Sequence, residues 1–216
     1  MKVACFAESP ADQAALTILA ALTILTEAIL GTTTETVEHA GLRHRGWPAV
    51  RSVLRTVLKE LHYHTDAEGF VCIVDSNNSS PHLLEHERPE APEPKCRLCQ
   101  LRHIADEVQQ QIRPRQDLRP LKIAFGLAVP TIEAWLLCGV DPHITEAAWI
   151  NGLKEGRTPF AKESLKHELY GTSHPSLAIE TEAMKRAATR LASNLSTIKS
   201  LFPHGFGALQ RSLRSW

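Results

Sequence analysis

Apolar positions recur along this chain with two periods, and the alternation between them sets out its elements. Residues 2–7 form a short apolar run closed by Glu8. Ser9-Pro10-Ala11-Asp12 follows at once, with Ser9 suited to a helix N-cap, Pro10 to the first helical position and Asp12 to the first turn. Ile18, Leu22, Leu25 and Ile29 then recur at helical spacing, and Leu16 and Leu19 widen the apolar face toward burial on two sides. Residues 32–39 are rich in β-branched side chains and predict a second strand, with Val37 as its single large apolar side chain. From Trp47 onward, Val50, Val53, Leu54, Val57, Leu58 and Leu61 mark the clearest amphipathic helix of the chain, over residues 47–61. Residues 69–74 are continuously apolar, as in a strand buried on both faces of a parallel sheet, and the run stops at Asp75.

Residues 76–95 have loop composition: Asn77-Asn78-Ser79-Ser80, then Pro81, Pro89, Pro92 and Pro94 among charges. A connection of that length is usually functional or ordered by something other than a core. Leu98, Leu101, Ile104, Val108 and Ile112 predict a helix over 95–112, residues 121–129 another apolar strand, and a helix begins directly after it. Beyond Gly139 the patterns are helical: 143–153, 160–170 stopped by Gly171, 180–195 and 207–215. Strands alternating with helices argue an open, mainly parallel α/β sheet over residues 1–138, carrying an insertion at 76–103, with a helical C-terminal extension over 139–216.

The 216 residues, 43% of them hydrophobic, are enough for a full-sized domain with a helical appendage. Lys plus Arg and Asp plus Glu balance at 24 each, so overall charge points to no nucleic-acid partner. The balance hides an asymmetry: residues 1–110 carry 10 basic and 15 acidic side chains, residues 111–216 carry 14 and 9. Five scattered cysteines do not make a secreted disulfide framework, so a reducing cytoplasm is expected. The apolar stretch at 14–30 is interrupted by Thr17, Thr23, Thr26 and Glu27 and reads as a buried helix rather than a membrane span.

In an open parallel sheet, functional groups gather at the carboxyl ends of the strands. Glu8 closes the first strand, Asp75 closes the middle one, and Glu133 lies one turn into the helix after the last. Singly, each acid could do no more than serve a helix N-terminus. Three at equivalent positions predict a hard oxygen site for Mg²⁺ or Mn²⁺.

Glu8 after the first strand, Asp75-Ser76-Asn77 after the third, and the strand–helix alternation between them resemble the Toprim domain of topoisomerases, primases and overcoming-lysogenization-defect-type nucleases. The segment Val129-Pro130-Thr131-Ile132-Glu133-Ala134-Trp135-Leu136-Leu137 is similar to a Pro-x-x-Glu-x-Trp segment of small stand-alone Toprim-like proteins, some of them in antiphage defence. The resemblance covers about residues 2–138. It implies a Toprim-like, Rossmann-like sheet, with Glu8 in acid/base catalysis or on the metal and Asp75 on Mg²⁺. Asn77 stands where the family has a second aspartate; its amide oxygen can ligate Mg²⁺ but brings no charge, and Glu133 could supply the missing carboxylate.

The function so implied is a metal-dependent endonuclease acting on DNA or RNA phosphodiesters, the effector of a bacterial antiphage defence or toxin system. The rival is a non-catalytic Toprim-like assembly or nucleic-acid-binding subunit. Phosphoryl or nucleotidyl transfer would use the same acids, but no glycine-rich phosphate loop accompanies them. Cations are harder to place. Arg51, Arg55 and Lys59, with Arg43 and Arg45 upstream, form either a solvated helix face or a phosphate contact; Arg113, Arg115, Arg119 and Lys122 precede or open the last strand, at the end away from the acids.

A second site is predicted by Cys96-Arg97-Leu98-Cys99-Gln100-Leu101-Arg102-His103, just after the loop that carries His82 and His86. Two thiolates three residues apart with imidazoles nearby suit a structural Zn²⁺, its ligands drawn from His82, His86, Cys96, Cys99 and His103. An ion there would also order the long loop. Alternatively the pair are thiols near a helix N-terminus, or redox-active. Cys5, Cys72 and Cys138 read as core residues, and His62 and His64 as cations serving a helix end. Leu209, Leu213 and Trp216 predict a terminal helix that docks on its own domain, on a partner protein or on a second copy.

Overall fold

The computed structural model describes residues 1–8, 12–37, 46–77, 79–88, 93–115 and 119–216, with backbone alone over 12–19. Among these residues, β1 (Lys2–Ala7), α1 (Asp12–Leu30), β2 (Glu35–Thr36), α2 (Trp47–His64), β3 (Gly69–Asp75), α3 (Arg97–Gln111), β4 (Lys122–Ala128) and α4 (Ile132–Leu136) alternate. Then come α5 (Glu146–Lys154), α6 (Lys162–Tyr170), α7 (Leu177–Ala192), α8 (Leu195–Leu201) and α9 (Phe206–Arg214). The helix start read at Ser9 and Pro10, the side chain of Asp12, and Arg43 and Arg45 lie outside the described residues.

The strands form one all-parallel sheet in the order β2-β1-β3-β4. Register pairs Ala7 with Ile73 and Asp75 with Ala128, so β1, β3 and β4 finish along one edge. Side chains alternate across the pleat. Val3, Cys5, Val71, Ile73, Ala124 and Ala128 join the core beneath α1, α7 and α9. Ala4, Phe70, Cys72, Val74, Phe125 and Leu127 join the core beneath α2 and α3. Burial on both faces is why β3 and β4 read as unbroken apolar runs rather than alternating ones.

The α/β alternation predicted from the sequence is observed, with differences at its edges. The second strand contracts to two residues, each exposed. The helix expected over 180–195 starts three residues earlier, where the Ser176 hydroxyl accepts the Ile179 N–H, and α8 follows as a separate short helix that periodicity had not set apart. The terminal helix docks on its own sheet. Leu209 and Leu213 are buried, and the Ser212 hydroxyl donates to the Ile123 carbonyl at 3.1 Å. Gly126 permits that approach: a Cβ there would stand 3.1 Å from Trp135 and 3.4 Å from Leu209. No described helix is long and apolar enough to cross a membrane, and the five cysteines are buried and form no disulfide.

Candidate functional site

Glu8, Asp75 and Glu133 reach the shared edge from three separate stretches of chain. Asp75, the last residue of β3, accepts the Ile132 N–H on Oδ1 at 3.0 Å. It thereby serves the N-terminus of α4, whose own N-cap Thr131 makes no side-chain bond. Arg97, the first residue of α3, donates one guanidinium nitrogen to both Glu8 Oε2 at 2.9 Å and the Asp75 carbonyl at 2.6 Å. Its charge lies 5.0 Å from the ring centre of Trp47, the first residue of α2. Lys162, the first residue of α6, stands 3.6 Å from Asp75 Oδ2. Asn77 takes a left-handed φ of 46° and donates its N–H to the Pro130 carbonyl at 2.9 Å, which ties the ends of β3 and β4 together.

Electrostatically the edge is crowded. Glu133 is buried, its Oε2 has no hydrogen-bond partner, and the buried Tyr170 hydroxyl stands beside it without closing a bond of ordinary geometry. Burial first, then the charges of Glu133 and Glu8, push Asp75 up to about 7 against the opposing Lys162. Glu8 is raised by burial, with Arg97 the main opposing influence. Tyr170 is raised by burial and by Glu133, Glu180 and Asp75.

Arg97 and Lys162 were not singled out from the sequence. A signal existed. Each opens a helix, and a cation in the first turn opposes the helix dipole, so a basic residue there implies an anionic partner elsewhere. Arg55 and Arg115, two of the cations that the sequence singled out, are engaged elsewhere. Arg55 pairs with Glu107 of α3, while Arg51 and Lys59 are exposed. Arg115 donates to the carbonyls of Ala67 and Thr65, beside the start of β3 at the opposite edge.

Comparison with models of protein families, with curated proteins and with solved structures returns no match.

The second centre is sharper in geometry. Donor atoms of His82, His86, Cys96 and Cys99 lie within 4.8 Å of one another, forming the only group of three or more His, Cys, Asp and Glu among the described residues that is compact enough to hold a metal ion. His82 Nδ1 is 3.5 Å from Cys96 Sγ and 3.7 Å from Cys99 Sγ. Around a tetrahedral Zn²⁺, with Zn–S about 2.3 Å and Zn–N about 2.0–2.1 Å, neighbouring sulfur and nitrogen stand about 3.5 Å apart. The set is therefore compatible with structural zinc. Cys99 is held well below the usual thiol range by the adjacent Cys96 thiol and by His82, which favours the thiolate a metal takes.

His103 does not belong to this group. It is 73% exposed and faces Glu107 one turn along α3: seven residues beyond Cys96 and four beyond Cys99 it shares their side of the helix but stands about 10 Å and about 6 Å further along the axis, past the reach of the loop. An outer layer that the sequence did not disclose supports the ligands. His82 Nε2 faces Glu87 Oε1 at 3.5 Å, and Glu87 is held by Arg211 of α9 at 2.7 Å and approached by Arg102 of α3 at 3.5 Å. The 3.5 Å approach of Glu87 to His82 is an ion-pair distance rather than a closed hydrogen bond, and it places a carboxylate behind the far nitrogen of the imidazole, the position from which such a group orients a ligating ring. His62, expected to serve the end of its own helix, is buried and contacts the Arg113 carbonyl through Nε2 at 2.8 Å instead.

Proposed function

We propose that the carboxyl edge of the sheet is a Toprim-like, metal-dependent nuclease site acting on DNA or RNA phosphodiesters. One observation carries this reading: three carboxylates crowd at the ends of parallel elements, one keeps a buried oxygen without a partner, and another is pushed up to about 7. Surplus negative charge on hard oxygens is what a hard divalent cation relieves. Glu8, Asp75 and Glu133, with Asn77 as a neutral donor, are the residues that would hold a Mg²⁺ or Mn²⁺, and their oxygens would have to close in to do so, because as they stand they are not gathered tightly enough to form a metal-holding group. When bound, such an ion supplies positive charge that polarises a phosphate.

The chain's own groups do the rest. Arg97 holds Glu8 and the end of β3 in one arrangement through its two bonds. Lys162 is 43% exposed on its side chain and only loosely paired, so it is free to turn to a phosphate oxygen. Asp75 and Glu8, raised toward neutrality, can take or release a proton at the reacting group. In the same reading the His82, His86, Cys96 and Cys99 centre carries structural zinc, and the resemblance suggests an antiphage or toxin role.

The non-catalytic reading has its own support: Arg97 and Lys162 already neutralise two of the carboxylates, and Asn77 replaces an acid. Incubation with plasmid, single-stranded DNA and tRNA in Mg²⁺ or Mn²⁺ separates the two. Cleavage that Glu8→Ala and Asp75→Ala abolish is expected. Intact substrates throughout, or cleavage indifferent to both substitutions, would count for a binding subunit.

A further inference from the structure

Arg97 lies between the two cysteine ligands in sequence and on the opposite side of the helix from them in space. Successive residues of a helix turn by about 100°, so Cys96 and Cys99 lie about 60° apart on one side, while Arg97 projects more than 90° away from both. The structure shows the consequence. Both sulfurs face His82, whereas the guanidinium reaches across to Glu8 and Asp75.

Apolar packing does little to fix this end of α3. Cys96 at its N-cap makes no side-chain capping bond, and the first turn carries no acid. Among the described residues from 79 to 96, the buried ones are His82 and Cys96, both of them ligands. The short 3₁₀ turn Leu84–Glu87 buries nothing, and Leu84 is exposed. Hydrophobic packing on α3 begins at Leu98 and continues through Leu101, Ile104, Ala105 and Val108, which anchors the helix from its second residue onward, whereas the loop before it is tied by polar contacts, Glu87 to Arg211 and Arg102 and the Pro94 carbonyl to Gln100.

We propose that an ion bound by His82, His86, Cys96 and Cys99 seats Arg97 between Glu8 and the end of β3, so that the metal centre organises the carboxylate edge from the far side of α3. Arg97 is then a positioning residue, and occupancy of the zinc-type centre regulates whether Glu8 and Asp75 are held together. The proposal borrows from the nuclease reading only the role given to the edge; the seating itself is a property of the loop and α3.

The test uses the full-length protein as purified. Metal content is measured, and accessible guanidiniums are modified with phenylglyoxal before and after chelation, with the sites identified by peptide mass spectrometry. About one zinc per chain is expected. Arg97, whose side chain is 14% exposed, should be protected in the loaded protein, react severalfold faster once the metal is removed, and regain protection when zinc is returned. Arg115, clamped to two carbonyls at the opposite edge, reports on the rest of the fold and should keep its rate throughout. Cys99→Ser should reproduce the chelated pattern without chelator; if that variant does not fold, the chelation series stands alone. The proposal is overturned by protein that binds no metal, by an Arg97 rate indifferent to the metal, or by Arg97 and Arg115 rising together, which would make the ion a support of the whole fold. None of these readouts involves hydrolysis. A protein that binds zinc and protects Arg97 yet cleaves nothing therefore refutes the nuclease reading alone.

Discussion

Asp75 shows how one side chain can be asked for two incompatible things. Its carboxylate accepts the N–H of Ile132 and faces Lys162, yet it is surrounded by protein and by the charges of Glu133 and Glu8, and the second group of influences prevails. With a pKa of about 7 when folded and an ordinary value near 3.8 when unfolded, the native state binds more protons between those limits, so stability falls as pH rises through that window. Asp75→Asn keeps an acceptor for Ile132 and deletes the charge. It should flatten the pH dependence of the melting temperature between pH 4 and 7 and raise stability at pH 8 by about 1–2 kcal/mol, or about 2–8 °C. A thermal melt series across that range checks it, and an unchanged slope would mean the carboxylate is not crowded as described. The three acids were legible in the sequence because each follows a strand or opens a helix. Glu133's orphaned oxygen and the two cations were not, because they depend on what stands opposite.

At the scale of elements, legibility followed the contrast between faces. α2 was plain because its apolar and basic stripes are cleanly separated: Leu54, Val57, Leu58 and Leu61 are buried while Arg51, Arg55 and Lys59 lie on the exposed side. Leu54→Ala should accordingly cost about 2–5 kcal/mol, whereas Arg51→Ala should stay within about 0.5 kcal/mol. Denaturant unfolding of the pair checks this; equal losses would mean the helix is packed on the other side. The loop at 76–95 was legible only as an anomaly of length. Its ligands were readable from the Cys-x2-Cys spacing and two nearby histidines, but the choice among three histidines was not. That choice is made by the rise along α3, which carries His103 up to Glu107, and by the fold of the loop, which brings His82 to both sulfurs.

At the scale of the molecule, the C-terminal helices complete the fold rather than hang from it. α7 packs on α1 and α9 on β4, and Phe206 meets the Trp135 ring edge-on at 5.3 Å. The buried Glu146 carboxylate accepts the N–H groups of His204 and Gly205 at 2.7 and 2.8 Å, and so fastens α5 to the approach of α9. Ending the chain at Pro203 removes α9, uncovers one face of β4 and leaves Glu146 buried without partners, a combination of lost apolar burial and an unsatisfied charge. Such a chain should lose its cooperative melting transition and elute as aggregate in size-exclusion chromatography. A sharp transition within a few degrees of the full-length value would show that α9 is dispensable.

By itself the sequence determined the strand–helix alternation, the two-sided burial of β3 and β4, and the residue types available for metal chemistry, since these follow from periodicity and spacing over a few turns of chain. Only the tertiary structure decided which groups meet. Arg97 reaches Glu8 across 89 positions, and Glu87 reaches Arg211 across 124. Such partners are chosen by strand order and by the angle at which each helix lies on the sheet. No local pattern carries that information, because it belongs to the packing of the two cores as a whole.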